Sequence, residues 1–268
     1  MGKLYFLKIG GSAITYKNRP RKAKMQAIRR ILSQVKKAKA KGKFDLVIGH
    51  GSGSFAHIPA KRYRINEGII NRQSRRGAAL THLVAKELNT IIVSEGLRMG
   101  LELFPFSPSS FGMWRSDDSG MGSADAIKEA IKHGFIPVVY GDVVMHSGKG
   151  VSIASTEDVF TFLAEHLNPS RIILATDVDG VFDKDPKVYA DAKLIRMVDS
   201  ENAQRVLNYA SGSTKIDVTG GMRTKLASLH AMVKKAKSEG MIINCGREDS
   251  VADALTGKRI ERCTIIRG

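Results

Sequence analysis

The sequence predicts an α/β fold, a three-layer αβα sandwich with a mainly parallel central sheet. Short apolar segments of strand length, such as 44–48, alternate with amphipathic segments of helix length, such as 80–97. Parallel strands need crossover connections, and the helices that form them cover both faces of the sheet. The 268 residues contain no internal repeat and no low-complexity linker. We therefore predict a single domain over 1–268, with a soft boundary between the lobes 1–168 and 169–268.

The first part of the chain predicts a strand, a helix and a second strand. Residues 3–9 predict a strand that runs into Gly10-Gly11-Ser12, and 44–48 predict a buried strand that opens into a glycine-rich stretch. Between them, from about 20 to 40, apolar residues recur in steps of three and four, which is the period of an amphipathic helix. This apolar face consists of Ile28, Ile31, Leu32, Val35 and Ala38.

The remaining chain continues the alternation. Residues 80–97 predict a second amphipathic helix, and 115–123 predict a polar loop. Short strands are predicted at 137–140, 143–146 and 151–154, and the hairpin-like region near 140–154, with its Ser-Gly-Lys-Gly turn, predicts an antiparallel insertion. The closing elements are helix 156–167, strand 171–175, a long loop rich in Asp, Gly and Pro, helix 221–239, strand 241–244, helix 250–256 and strand 263–266.

Basic residues are concentrated at the start of the chain. The formal net charge is +17, and residues 1–43 hold 14 Lys and Arg with no Asp or Glu. The other 225 residues carry 29 basic and 26 acidic side chains, so their net charge is only +3. We interpret the basic run, which covers 19–43, as a solvated helix face rather than a nucleic-acid surface. Local attraction of anionic substrates is the third interpretation.

The composition argues against several classes of protein. No apolar segment approaches the roughly 18 to 20 residues of a membrane span, and the run at 4–7 is too short for a signal peptide. Cys245 and Cys263 are the two cysteines and form no C-x-x-C motif. We therefore expect a cytoplasmic protein with no membrane partner, no disulfide framework and no protein-held metal.

Two glycine-rich turns follow the first two predicted strands. The turn at 10–12 comes after Lys8, a lysine on an apolar strand that needs an anionic partner when buried. The turn at 51–53 is flanked by His50 and His57, and either histidine alone is better read as a structural hydrogen-bonding residue. Adjacent glycines expose backbone N–H groups that suit phosphate oxygens, although neither turn is a Walker A loop or a dinucleotide fingerprint.

Two further motifs lie in the second half. The segment 176–186, TDVDGVFDKDP, follows a predicted strand, at the position where open α/β sheets bind ligands. Its carboxylates could bind Mg²⁺, hold a ribose or cap turns, and Pro186 stands where a calcium loop has its bidentate Glu. The pair 220–221 opens a predicted helix whose unpaired N–H groups, together with Lys225, would attract a phosphate.

In this order the four motifs resemble the amino acid kinase family over essentially the whole chain. The resemblance is carried by Lys-x-Gly-Gly-Ser at 8–12, the TDVDGV-x-x-x-DP loop and T-G-G-M-x-x-K at 219–225. Gly-Ser-Phe-Ala-His-Ile-Pro-Ala-Lys at 53–61 is similar to the isopentenyl phosphate kinase branch, as are the segments 108–111 and 141–144.

The resemblance implies ATP-dependent phosphorylation of isopentenyl phosphate, a small-molecule phosphate substrate, to isopentenyl diphosphate in isoprenoid biosynthesis. It also implies Mg²⁺ bound chiefly to ATP, a homodimer, an acceptor-binding lobe over 1–168 and a nucleotide-binding lobe over 169–268. The residues implied as catalytic are Lys8, Lys17, His57 and Lys225. Those implied for ATP are Lys8, Gly10, Gly11, Ser12, Gly53, Asp177, Phe182, Lys184, Asp185, Lys187, Gly221 and Lys225, and those for the acceptor are Ser52, His57 and Thr156.

The expected chemistry needs no general base. An acceptor phosphate has a second pKa of about 6 and is largely a dianion at neutral pH, so catalysis would rest on positioning and positive charge. Ala56 and Thr156 stand where the family more often has glycine, which leaves open a relative that acts on a phosphonate or carboxylate such as fosfomycin or N-acetylglutamate. The non-enzyme hypothesis is a basic nucleic-acid-binding or regulatory protein with a nucleotide fold.

Overall fold

The computed structural model describes residues 2–115, 120–186, 188–209 and 221–268. Its strands in chain order are β1 (Lys3–Ile9), β2 (Phe44–His50), β3 (Leu103–Pro105), β4 (Gly112–Trp114), β5 (Gly120–Gly122), β6 (Ile136–Tyr140), β7 (Asp142–His146), β8 (Gly150–Ala154), β9 (Arg171–Thr176), β10 (Val181–Phe182), β11 (Leu194–Ile195), β12 (Met197–Val198), β13 (Glu239–Asn244) and β14 (Cys263–Arg267).

The helices vary from one turn to seven. They are α1 (Gly11–Ile14), α2 (Met25–Lys41), α3 (Gly53–Arg62), α4 (Arg72–Arg98), α5 (Pro108–Phe111), α6 (Asp125–Lys132), α7 (Thr156–Leu167), α8 (Ala203–Tyr209), α9 (Met222–Ala236) and α10 (Ser250–Thr256), with a 3₁₀ turn at Ile65–Glu67. Within the described residues, none of these helices is long and apolar enough to cross a membrane.

The central sheet has eight strands in the order β12-β14-β13-β9-β1-β2-β6-β3. The six strands from β13 to β3 run parallel, and β14 pairs antiparallel with β13 at one side. A four-stranded sheet, β5-β4-β7-β8, contains the predicted antiparallel hairpin β7–β8. The predicted fold class, an αβα sandwich with a mainly parallel sheet, is confirmed.

Strand β1 separates the two cores of the sandwich. Tyr5 and Leu7 pack in the core that includes apolar residues of α2, α4 and α10, whereas Phe6 packs in the core formed with α6, α7 and α9. Successive side chains of a strand point to opposite faces. Lys8 therefore faces the same layer as Phe6, which directs its ammonium group towards α7 and α9.

Register brings the ends of the three middle strands together. Ile9 is paired with His50 of β2 on one side and with Ala175 of β9 on the other. The segments that follow these three strands therefore meet at one edge of the sheet, although the first begins at residue 10 and the last at residue 177. They include three of the four motifs identified in the sequence.

Two helices begin at different residues from those predicted. Helix α2 starts at Met25, because the preceding residues form a turn closed by a bridge between Thr15 and Ala23. Helix α4 starts at Arg72, eight residues before the predicted position. A capping box fixes this start: the Ser74 N–H donates to Asn71 Oδ1 at 2.9 Å, and the Asn71 N–H donates to Ser74 Oγ at 3.0 Å.

Short elements occupy two of the predicted loops. The loop after Ala175 contains the β10–β11 ribbon, β12 and α8, and the loop predicted at 115–123 contains β5, which pairs with β4. These strands have two or three residues each. Segments of this length carry no recognisable period, and pairing with distant strands determines that they form.

A buried glutamine joins α2 to α10. Gln34 Oε1 accepts hydrogen bonds from the N–H groups of Val251, at 2.8 Å, and Ala252, at 3.4 Å. It therefore satisfies the first turn of α10, whose own N-cap residue Asp249 makes no capping bond from its side chain. The side chain acts as a cap supplied by a different helix.

We predict that Gln34→Leu lowers the free energy of unfolding by about 1 to 3 kcal/mol, because two buried N–H groups lose their acceptor. Urea denaturation monitored by circular dichroism measures the change. Gln26→Leu is the matched control, since Gln26 lies on the same helix and is exposed. Equal stability of the two variants would contradict the capping role.

Candidate active site

A cleft of about 750 Å³ opens at the carboxyl ends of β1, β2 and β9. Every predicted site residue that the structure describes lines this cleft, and Lys187 lies outside the described residues. The predicted residues among them that are polar, charged or glycine are Lys8, Gly10, Gly11, Ser12, Lys17, Ser52, Gly53, His57, Thr156, Asp177, Lys184, Asp185, Gly221 and Lys225. Four motifs separated along the chain therefore meet in one cavity.

The two glycine turns are packed backbone against backbone. A Cβ atom on Gly11 would lie 2.6 Å from the Gly53 nitrogen, and one on Gly51 would lie 2.8 Å from the Gly11 nitrogen. Thr15 holds both turns, because its Oγ1 donates to the Gly11 carbonyl at 2.8 Å and accepts from the Ser54 N–H at 3.1 Å. The close approach explains why both turns need glycine, and it concentrates backbone N–H groups at one end of the cleft.

We predict that Gly53→Ala abolishes most activity and destabilises the fold. Gly53 has φ +47°, and a Cβ there would lie 2.1 Å from Thr15 Oγ1. Gly134→Ala is the control, because Gly134 also has a positive φ, +83°, but its Cβ would meet nothing within 4 Å. Both variants share a backbone strain of about 1 to 3 kcal/mol, so loss of activity confined to Gly53→Ala isolates the contact between the turns. Steady-state rates on folded protein give the comparison.

Lys8 forms a buried ion pair with Glu157 of α7. Their side chains are only 7% and 15% exposed, and Glu157 belongs to the first turn of α7, where a helix favours negative charge. Burial lowers the pKa of the Lys8 ammonium below its ordinary value, although Glu157 opposes the change and Lys225 adds to it. Burial alone would raise the pKa of Glu157, but the charge and hydrogen bond of Lys8 outweigh it and the pKa lies below its ordinary value. Glu157 is therefore an anion that pairs with Lys8 and is also stabilised by the charge of Lys225.

The other side of the cleft is formed by α3 and the start of α7. Ser52 Oγ donates to the Gly141 carbonyl at 2.6 Å, and Thr156 Oγ1 donates to the His50 carbonyl at 2.8 Å. His57 is exposed on α3, and Lys17 is exposed in the segment before α2. Thr156, the residue that departs from the glycine of the family, thus directs its side chain to the end of β2 and is 2% exposed.

His50 has a structural environment. It is fully buried, its Nε2 lies 3.0 Å from Asn89 Oδ1, and its ring stacks on Tyr140 with 5.5 Å between centroids. Burial lowers the pKa of His50 to about 4, so the ring is neutral at physiological pH. The interpretation of this histidine as a hydrogen-bonding residue is confirmed.

The segment after β9 forms the opposite end of the cleft. Ser12 Oγ donates to Asp177 Oδ1 at 3.3 Å, which links the first glycine turn to this segment. Lys184 Nζ pairs with Asp191 Oδ2 at 2.5 Å, and the Asp183 carboxylate accepts the Lys193 N–H at 2.8 Å. Phe182 provides an apolar surface here.

Asp179 makes different contacts from Asp177. Its carboxylate binds two guanidinium groups, with Oδ1 2.5 Å from Arg247 Nε and Oδ2 2.7 Å from Arg262 Nε. Asn244 Nδ2 donates to it at 3.0 Å. The hydrogen bond from Arg247 is the main reason that the pKa of Asp179 falls to about 2. Asp179 therefore anchors the segment after β9 to residues that follow β13 and precede β14, a role that differs from the three expected for these carboxylates.

Comparison with known proteins identifies the family. A sequence model of the amino acid kinase family matches residues 3–244. The chain belongs to the amino acid kinase family. The matched region contains the motifs at the ends of β1, β2 and β9.

The most informative relatives are isopentenyl phosphate kinases. The isopentenyl phosphate kinase of Methanocaldococcus jannaschii is 34% identical to this chain, and the match covers 95% of this chain and 96% of the relative. That of Methanothermobacter thermautotrophicus is also 34% identical, and the match covers 99% of both chains. A solved isopentenyl phosphate kinase has a TM-score of 0.80 at 30% identity and covers 98% of this chain and 99% of its own. UMP kinase from Ureaplasma parvum, at 17% identity and a TM-score of 0.68, shares the fold. The predicted branch of the family is confirmed.

Sequence reasoning missed three residues of the cleft. Glu157 was not among the predicted residues, although the alternation of side chains along β1 directs Lys8 towards the start of α7. Thr15 is the residue that follows α1, and its contacts with Gly11 and Ser54 can be recognised only once the fold is known. Tyr209, at the end of α8, lines the cleft from a helix that the sequence pattern did not predict.

Proposed function

We propose that this kinase transfers the γ-phosphoryl group of ATP to isopentenyl phosphate and forms isopentenyl diphosphate. The observation that carries the proposal is the convergence of Lys8, Lys17, Lys225 and His57 with two glycine turns in one cleft. The similarity to isopentenyl phosphate kinases over almost the whole length supports the same acceptor. Apolar residues of the cleft beside α3 suit an isoprenoid tail, and they are Ala56, Ile58, Ala60, Ala85, Val143 and Ile153.

The proposed mechanism relies on charge and positioning. The acceptor phosphate is already a nucleophilic dianion, since its second pKa is about 6, so no side chain needs to remove a proton. Lys8 and Lys225 bind the ATP phosphates and the group in transfer, and Lys17 stabilises the charge that develops on the γ-phosphoryl oxygens. The N–H groups around Gly10, Gly11, Ser12, Gly53 and Gly221 complete the binding of phosphate oxygens.

Each substrate has its own end of the cleft in this proposal. His57 and the backbone at Ser52 and Thr156 hold the acceptor phosphate, within the lobe 1–168. Asp177, Phe182, Lys184 and Asp185 surround the nucleoside, within the lobe 169–268, and Lys187 is proposed for the same role. Both lobes share one sheet, because β1 pairs with β2 on one side and β9 on the other, which supports a single domain.

We also propose that Mg²⁺ enters with ATP and is held chiefly by its phosphates. Among the described residues, no group of three or more His, Cys, Asp or Glu side chains is arranged to hold a metal ion. The donor set of the cleft therefore suits a cation that brings its own phosphate ligands. The bound cation would supply charge neutralisation at the β- and γ-phosphates.

For the assembly we propose a homodimer in the cytoplasm. Helix α4 exposes Leu80, Leu83 and Leu97 by 38%, 61% and 56%, which leaves apolar area available on a long helix. Light scattering coupled to size-exclusion chromatography tests the stoichiometry. Buried, unpaired Cys245 and Cys263 agree with a reducing compartment.

We predict that His57→Ala raises KM for isopentenyl phosphate by about ten- to hundredfold, because a hydrogen bond to a charged group contributes roughly 1.5 to 3 kcal/mol. KM for ATP should change far less. Steady-state kinetics with each substrate varied in turn measures the split, and His133→Ala, an exposed histidine at the end of α6, is the control. Equal increases for both substrates would exclude the acceptor role.

The acceptor itself is tested with a substrate panel. ATP consumption is compared for isopentenyl phosphate, dimethylallyl phosphate, fosfomycin and N-acetylglutamate. The proposal expects turnover of the isoprenoid monophosphates, and preference for fosfomycin or the carboxylate would replace it.

A further inference from the structure

Twelve of the 14 basic residues of the first 43 positions fall into two groups in the structure, and the other two, Lys3 and Lys8, lie on β1. One group lies on α2 and in the turn that follows it. The other group lies in the segment 16–24 between α1 and α2, which we call the basic rim. Its cations are Lys17, Arg19, Arg21, Lys22 and Lys24.

The basic rim is fixed at the acceptor side of the cleft. It is closed by the bridge between Thr15 and Ala23 and by the hydrogen bond from the Tyr16 N–H to the Lys22 carbonyl at 3.0 Å. The Arg21 N–H lies 3.4 Å from the carbonyl of Ser54, in the first turn of the helix that carries His57. Lys17 itself lines the cleft. The rim therefore borders the position proposed for the acceptor phosphate.

Most of the charge of the rim is uncompensated. Within the described residues, Arg21 is the member with an acidic partner, Glu87 at 2.5 Å. Lys24 donates to the Ser12 carbonyl at 2.8 Å, and Arg19 lies over the Tyr16 ring at 5.7 Å, so neither is neutralised. At the nucleotide end of the cleft, by contrast, Lys184 is paired with Asp191. The rim therefore carries several cations without an acidic partner among the described residues, whereas Lys184 has one.

We propose that the basic rim attracts the acceptor, a phosphate-monoester dianion, into the cleft and raises its rate of productive encounter. This inference rests on the proposed function, because it assumes that the acceptor is an anion. A cluster of like charges beside a cleft raises the local concentration of an oppositely charged substrate. The effect depends on salt, since the Debye length falls from about 30 Å at 0.01 M to about 10 Å at 0.1 M and 3 Å at 1 M.

The test compares two double variants that lower the net charge equally. Arg19→Gln with Lys22→Gln removes two rim charges, whereas Lys41→Gln with Lys43→Gln removes two exposed charges at the start of β2. Strand β2 has seven residues, so the control charges are about 20 Å from the cleft edge, beyond the Debye length at about 0.1 M salt.

At about 0.1 M salt, the rim variant should lower kcat/KM for isopentenyl phosphate on the order of fivefold. It should lower kcat/KM for ATP less and leave kcat unchanged, and the control variant should match the unmodified enzyme. Near 1 M salt the difference should disappear. Equal losses in both double variants, equal losses for both substrates, or a loss that persists at high salt would each overturn the proposal.

Titration calorimetry with isopentenyl phosphate, in the absence of ATP, separates this inference from the proposed function. One outcome is that isopentenyl phosphate binds more weakly to the rim variant while the unmodified enzyme transfers no phosphoryl group. That outcome contradicts the proposed function and supports the proposed role of the rim. Normal turnover by the unmodified enzyme, together with unchanged binding in the rim variant, contradicts the proposed role of the rim and leaves the proposed function intact. A rim variant that loses binding to a DNA oligonucleotide while its kinetics stay unchanged would also overturn the proposal.

Discussion

Replacing Lys225 with alanine is expected to lower kcat by about a hundred- to a thousandfold, the loss typical of removing one preorganised group that stabilises transition-state charge. Lys225 lies in the first turn of α9, and its N–H contacts the Gly221 carbonyl at 3.3 Å. It is close enough to Lys8 to lower the pKa of that ammonium group. The ammonium groups of Lys8 and Lys225 therefore act on the same region of the cleft. The negative charge of the phosphoryl group in transfer should be greatest in that region.

KM for ATP should change much less than kcat in this variant. In the proposed mechanism, the glycine turns, Lys8 and the segment after β9 still bind the nucleotide, so the lost charge should affect mainly the transfer of the γ-phosphoryl group. Rapid-quench single-turnover experiments with radiolabelled ATP measure the chemical step directly. Lys234→Ala is the matched control, because Lys234 is exposed on the same helix and should alter the rate by no more than about twofold. Near-normal turnover by Lys225→Ala would refute its assigned role.

The fold was predictable where the pattern is long and periodic. The apolar face of α2 was identified residue by residue, and all of its members, Ile28, Ile31, Leu32, Val35 and Ala38, are buried. The ribbon β10–β11 and strands β5 and β12 were not predicted, because they exist through pairing with distant segments. Gln34 shows the same limit for side chains, since its position on a helix does not reveal which backbone groups it will cap.

The cleft was predictable where backbone chemistry dictates residue type. Glycine turns after parallel strands must meet at the same edge, so the association of Gly11 with Gly53 follows from strand order. The partners of charged side chains were harder to predict, because they depend on which face of a strand packs against which turn of a helix. Lys8 was expected to need an anion, and the structure supplies one from the protein, Glu157.

The ion pair between Lys8 and Glu157 leads to the second prediction with a large expected effect. In Glu157→Gln the side chain keeps its size but loses the charge that opposes the effect of burial on Lys8. The pKa of Lys8 should then fall further, because the nearby opposite charge that favours its ammonium form is gone. A lysine is charged only below its pKa, so activity that needs the ammonium form is lost as pH rises through that value. The alkaline limb of kcat/KM for ATP should therefore move to lower pH in the variant.

The two kinetic parameters should respond differently, because kcat/KM reports the free enzyme and kcat reports the bound complex. In the proposed mechanism, bound phosphates are an alternative counter-charge for Lys8, so the alkaline limb of kcat should move less than that of kcat/KM. Removing one partner of a buried pair should also lower the free energy of unfolding by about 3 to 5 kcal/mol. Glu165→Gln is the matched control: Glu165 lies on the same helix and pairs with Lys235, but that pair is 37% and 60% exposed and should contribute no more than about 1 kcal/mol. If Glu157→Gln and Glu165→Gln show the same pH profile, Glu157 does not set the protonation of Lys8, and the ion pair is a packing feature of the cleft wall.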